Sequence, residues 1–265
     1  MRPFLKAYCF PSGLFLYLLV TSALFSGAPN EVQGAGKQMA VTAVTRSDRN
    51  GEEPWRYLLF RPQGYDESAE EKWPLLLYLH GRSGRGNDLE KIKRYGPPSF
   101  VEQRKDFPFF TVSPQLRAGS WDPDALSLLL DELLATYQID PDRVYVSGVS
   151  LGAMGAWTFV GAVPDRIAAL VPICAHGPPG VADVLTKVPI RAFHGAKDKI
   201  VPIAPHRQLI EAIQTRGGNA RLTVYPDGDH GSVISPTYEN PELIRWLLDQ
   251  EREKNPTTAN KSDCP

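Results

Sequence analysis

Residues 143–157 read RVYVSGVSLGAMGAW, an apolar run that stops at Ser150 with Gly148 and Gly152 two places to either side. The pattern G-x-S-x-G has a mechanical meaning when a strand precedes it and a helix follows. The chain must pass from one element to the other through a very tight turn, which strains the serine backbone and lifts its hydroxyl clear of the sheet edge. Side chains at the flanking positions would collide with neighbouring backbone, so glycine is required there. RVYVSGV has the pattern of a buried strand and LGAMGAWTFV that of a helix, so Ser150 sits where such a turn needs it. Ser147 lacks glycine flanks and is expected to be structural.

Outward from this turn, strand-like and helix-like stretches alternate. PLLLYLHG (74–81) and FPFFTVSP (107–114) are apolar on both faces, the mark of strands inside a sheet covered by helices. WDPDALSLLLDELLATYQI follows as a helix, with Asp122 or Asp124 as cap and first-turn acid. IAALVPICA, VPIRAFHG and ARLTVYP supply three more strands, separated by helical stretches near 202–215 and 240–252. Upstream, KQMAVTAV and WRYLLFRP flank the turn-rich SDRNGEEP and suggest a hairpin. Repeated strand–helix alternation specifies an α/β class with a mostly parallel sheet and helices on both faces. Residues 174–187 offer a short cap over an otherwise open cleft.

A serine hydroxyl is a poor nucleophile unless a base takes its proton and a carboxylate orients that base. Five histidines are available, at 80, 176, 194, 206 and 230. His230, in the polar loop PDGDHGS after the last strand, stands where a base must project; His194, closing a strand in RAFHG, is the alternative. Asp198, in HGAKDKIVP after the penultimate strand, is the favoured acid over Asp227 and Asp229, which suit turn capping. Charge developing on an attacked carbonyl needs backbone N–H donors. Leu151, after the serine, and Arg82, in the turn LHGRSGRG, are the candidates. Trp121, in AGSWDPD, is a candidate pocket residue, with an aromatic that anchors its loop as the equal alternative.

The chain has 265 residues with 42% hydrophobic and 22% charged positions, enough for one α/β domain with a large core. A net charge of −1, with no basic stripe interleaved with aromatics, argues against nucleic-acid binding. Arg2 and Lys6 precede the apolar GLFLYLLVTSALF and then small residues, the order of a secretory signal peptide over 1–28, with a cleavage site extending to 35 as the alternative. The apolar run is too short for a stable membrane anchor. Removing 1–28 takes the net charge from −1 to −3. Cys174 and Cys264 remain in the exported chain, and no spacing pattern indicates that they pair. No Cys/His cluster has metal-ligand spacing. The residues specify no oligomeric state.

Taken in order, PLLLYLHGRSGRG, DPDRVYVSGVSLGAMGAW, FHGAKDKIVP and PDGDHG resemble the α/β-hydrolase superfamily. The likeness is closest to its phospholipase/carboxylesterase and dienelactone-hydrolase-like branch, feruloyl-esterase-type enzymes included, and runs from about residue 55 to 250. The resemblance implies a single hydrolase domain over 37–252 with an eight-stranded sheet, followed by a polar tail over 253–265. It also implies a Ser150–Asp198–His230 triad, carboxylic ester hydrolysis without cofactor or metal, and a small-molecule or polymer-linked ester as substrate. Relatives often carry an acid in the turn after His-Gly, where this chain has Arg82 and Arg85. The expected protein is a secreted or periplasmic serine carboxylesterase. A prolyl-oligopeptidase-like serine peptidase and a noncatalytic binding protein on the same fold are the alternatives.

Overall fold

The structure is a computed structural model that describes residues 35–46 and 53–253. The expected leader (1–28) lies outside the described residues, as do Cys264 and the tail beyond Glu253. Eight strands form one sheet: β1 (Gln38–Arg46), β2 (Pro54–Phe60), β3 (Trp73–Leu79), β4 (Phe110–Pro114), β5 (Ile139–Val149), β6 (Ala169–Ile173), β7 (Ile190–Gly195) and β8 (Ala220–Tyr225). Their spatial order is β1-β2-β4-β3-β5-β6-β7-β8. β2 runs antiparallel to both β1 and β4, making the expected hairpin, and every pairing from β4 to β8 is parallel.

The apolar run of β3 divides between two cores. Leu75, Leu77 and Leu79 join one cluster with α1 (Pro123–Thr136), α2 (Leu151–Ala162) and α3 (Ile203–Thr215). Leu76 and Tyr78 join the other, with Phe107, Phe109 and residues of α4 (Ile234–Glu239) and α5 (Pro241–Leu248). Successive side chains of a strand point to opposite faces, so a run without polar interruption has to be sandwiched. At about 1.5–3 kcal/mol per fully buried leucine, an edge position would forfeit much of that stabilisation.

Three boundaries differ from those the sequence suggests. The helix after Trp121 opens as expected, with the Asp122 carboxylate accepting from the Asp124 amide at 3.0 Å and Pro123 in the first turn. It ends at Thr136 rather than Ile139, because Ile139 already belongs to β5, paired with Trp73. Pro141 disfavours helix at the residue before it, which supports the early stop. The helix expected near 240–252 is α5, capped by Asn240 through the Glu242 amide at 2.9 Å and ending at Leu248; α4 precedes that stretch and stops at Glu239, before Pro241. β4 starts at Phe110, and Phe107 and Phe109 reach the core from the segment before it.

Because β3, β5, β7 and β8 are parallel, their carboxyl ends share one rim of the sheet. The Gly81 turn, Ser150, Asp198 and His230 all follow those ends, at the place where ligands bind in open α/β sheets.

Candidate active site

Ser150 has φ 56° and ψ −118°, a conformation that costs a non-glycine residue about 1–3 kcal/mol and persists only where the surroundings enforce it. The enforcing contacts are visible. The Ser150 amide donates to the Ile173 carbonyl at 2.9 Å, tying the turn to β6. A Cβ on Gly152 would run into the Leu79 and His80 carbonyls, and one on Gly148 into the backbone of Gly152. The elbow is thus packed backbone to backbone on the end of β3.

Asp198 and His230 meet. The His230 Nδ1 donates to Oδ2 of Asp198 at 2.7 Å, and the Asp198 side chain is fully buried. Oδ1 of Asp198 accepts the amides of Ile200 and Val201 at 2.8 and 2.9 Å. Burial by itself would raise this carboxyl; the Val201 amide, His230 and the Ile200 amide outweigh it and hold the group below the usual carboxylate range. With Nδ1 committed to Asp198, the other ring nitrogen of His230 is left for the cavity that His230 and Ser150 both line. Asp227 pairs with Lys197 at 2.7 Å, and Asp229 accepts the Gly231 and Ser232 amides, closing its own turn.

That cavity measures about 640 Å³. Leu151 and Arg82 line it, and each is the first residue of a helical turn, where an amide has no partner within the helix. His80 braces the Arg82 turn: its Nε2 accepts the Leu116 amide at 2.9 Å, so Nδ1 carries the proton and donates to the Gly81 carbonyl at 2.7 Å. Burial lowers the His80 imidazole to about 4, keeping it neutral. The charged lining side chains are Arg82 and Lys91, both basic, while Arg85 is turned away to the Gly119 carbonyl. Tyr95, Met154 and Ile200 form an apolar, exposed rim, Ile200 being 71% exposed.

Two expectations are corrected. Trp121 does not line the cavity; it is buried, stacked on Trp55 at 5.9 Å and set edge-on to His80 at 5.0 Å, where it anchors the loop before α1. Residues 174–187 supply none of the lining, so they do not cap the site; the segment from Arg82 to Tyr95 walls it instead.

A second histidine stands close to the acid. His194, the weaker candidate for base, is fully buried with Nε2 3.3 Å from Oδ2 of Asp198, and Nδ1 2.9 Å from Nδ1 of His206. Its spacing of four residues from Asp198 was the one available clue; His206, on α3, offered none. Cys174 is also buried and free, with its thiol against Asp198 and pushed up to about 12, chiefly by burial. Cys174, His194 and Asp198 present ligand atoms within 4.8 Å of one another. Both Asp198 oxygens already accept N–H donors and the thiol is held protonated, which fits hydrogen bonding better than metal ligation.

The eight-stranded, mostly parallel sheet and its elbow have the architecture of the α/β-hydrolase fold. Within it, the model of the dienelactone hydrolase family matches residues 121–238. Among curated proteins, the chain is 29% identical over 136 residues to a bifunctional acetylxylan esterase/xylanase of Neocallimastix patriciarum, covering 48% of this chain and 20% of that one. It is 28% identical over 188 residues to poly(3-hydroxyalkanoate) depolymerase C of Paucimonas lemoignei, covering 63% and 42%. The chain therefore spans less than half the length of either relative. Among solved structures, a thermostable esterase superposes with a TM-score of 0.71 at 31% identity, covering 81% of this chain and 63% of that one.

Proposed function

We propose that this protein is a serine carboxylesterase, exported after removal of residues 1–28 or up to 35, and active over the 37–252 hydrolase domain without cofactor. Ser150 Oγ attacks the ester carbonyl as His230 accepts its proton, and the Leu151 and Arg82 amides meet the charge that develops on the carbonyl oxygen. His230 then returns the proton to the departing alkoxide. Water repeats the sequence on the acyl-enzyme, releasing the acid. Asp198 keeps His230 in the tautomer and orientation this needs.

The observation that carries the reading is the 2.7 Å bond from His230 to a buried carboxylate, made on the cavity that holds a strained, glycine-flanked serine. The relatives' names, an esterase and a polyester depolymerase, agree with it. The cavity's apolar rim suits the end of a bulky or polymer-linked ester.

The test is hydrolysis of p-nitrophenyl esters of graded acyl length, with and without an aromatic or carboxylate-bearing acid, beside peptide p-nitroanilides. Esters are expected to be turned over with the higher kcat/KM. A preference for the anilides would transfer the site to a peptidase, and no turnover of either would leave a binding protein.

A further inference from the structure

We propose that this site selects esters whose acid part carries a second, ionised carboxylate, received by the Arg82 guanidinium and the Lys91 ammonium. The proposal rests on the esterase reading and narrows its substrate class; the anion site itself can be tested without turnover.

The basic groups of the cavity wall sort by position. The segment from Arg82 to Tyr95 carries five cations, Arg82, Arg85, Lys91, Lys93 and Arg94, against two acids, Asp88 and Glu90. The three cations outside the lining have partners within the protein: Arg85 donates to the Gly119 carbonyl, Lys93 pairs with Glu90 at 2.7 Å, and Arg94 lies over the Tyr95 ring at 5.2 Å. The two that line the cavity, Arg82 and Lys91, have no carboxylate within 4.0 Å among the described residues. Among the described residues no Asp or Glu lines the cavity, and the buried Asp198 carboxylate is already met by N–H donors.

The two cations also stand close to the nucleophile. Lys91 Nζ lies 3.4 Å from where a Cβ on Gly86 would be, so the ammonium is folded against the turn that Arg82 opens. That turn abuts the elbow, a Cβ on Gly81 falling 3.6 Å from Ser150 Cβ. Unneutralised cations in a cleft raise the local concentration of anions, and their hydrogen bonds to a carboxylate are stronger than those to a neutral amide.

The sheet order says which half of the ester meets them. Ser150 follows β5; the segment from Arg82 to Tyr95 follows β3 on one side of it, and Asp198 and His230 follow β7 and β8 on the other. His230 hands its proton to the departing alkoxide, so the alcohol part lies toward β8. The acyl part, which stays on the serine, is directed to the β3 side and the two cations.

The experiment follows acid release in a pH-stat at neutral pH for ethyl hydrogen adipate and its neutral isostere ethyl adipamate, beside an alcohol-side pair, 4-acetoxybutanoate and 4-acetoxybutanamide. Ethyl hydrogen adipate should exceed ethyl adipamate by about tenfold in kcat/KM at low salt, and added salt should bring the ratio toward unity by screening the cations. The alcohol-side pair should differ by less than about twofold. Lys91→Gln should reduce the adipate ratio about threefold, and Lys91→Arg should restore it. Equal rates on ethyl hydrogen adipate and ethyl adipamate, a ratio that Lys91→Gln leaves unchanged, or a larger carboxylate preference on the alcohol side would each overturn the proposal while leaving the esterase reading intact. If none of the esters is turned over, the esterase reading fails, and calorimetry with adipate decides the anion site. Binding at low salt that weakens about threefold in Lys91→Gln sustains the site; no binding, or binding indifferent to Lys91, overturns it.

Discussion

Asp198 and His230 are 32 residues apart in sequence and 2.7 Å apart in space, carboxylate to imidazole, because parallel β7 and β8 deliver their following loops to one rim. Replacing Asp198 by Asn leaves the shape and removes the charge, which lets the wrong tautomer of His230 form. The expected result is a fall in kcat of about 10³–10⁴-fold with an unchanged circular dichroism spectrum, read in a p-nitrophenyl ester assay.

The two serines of the elbow strand should separate cleanly. Ser147 Oγ donates to the Val171 carbonyl at 2.8 Å and lies 2.6 Å from the Tyr238 hydroxyl, both buried, whereas Ser150 opens on the cavity. Ser147→Ala strands the Tyr238 hydroxyl and should cost about 1–3 kcal/mol of stability while sparing kcat. Urea unfolding beside steady-state kinetics checks both halves.

Backbone packing at the elbow gives a second contrast. Gly152→Ala pushes a methyl into the Leu79 carbonyl, backbone that cannot yield, and should destabilise by about 3 kcal/mol or more and reduce the soluble yield. At Gly180 a new Cβ meets nothing within 4 Å, so Gly180→Ala should shift stability by less than about 1 kcal/mol.

Three buried imidazoles make stability depend on pH. Burial lowers His80 to about 4, His206 to about 3, and His194 in the same direction, from 6.5 in the unfolded chain. The folded state stays unprotonated where the unfolded state binds protons, so this stability is complete above about pH 6.5 and is lost as pH falls toward the folded values. Each such histidine contributes a slope of about 1.4 kcal/mol per pH unit within its window. The urea midpoint should therefore drop between about pH 7 and about pH 5, and His206→Gln should flatten that slope.

Much of this architecture is legible in the residues, and the reason is periodicity. PLLLYLHG, RVYVSGV and VPIRAFHG announce buried parallel strands, and each ends where a site residue must stand. Ser150, His230 and Asp198 could be ranked because chemistry at a strand end needs particular types in a particular order. What stayed hidden depends on packing across elements. Trp121 sits just ahead of α1 in sequence, and it packs on Trp55 and His80 rather than lining the cavity. Residues 174–187 looked like a cap, but the walls come from the segment after β3, whose path no local pattern encodes. His206 lies on α3 and meets His194 only once that helix packs on the sheet.

Reaction with a fluorophosphonate probe, followed by mass spectrometry of the peptides, tests the nucleophile most directly. The expected result is a single adduct on Ser150, absent from Ser150→Ala, whose ester hydrolysis should be lower by about 10⁴–10⁶-fold. An adduct on a different residue, or hydrolysis by Ser150→Ala at the wild-type rate, would contradict it.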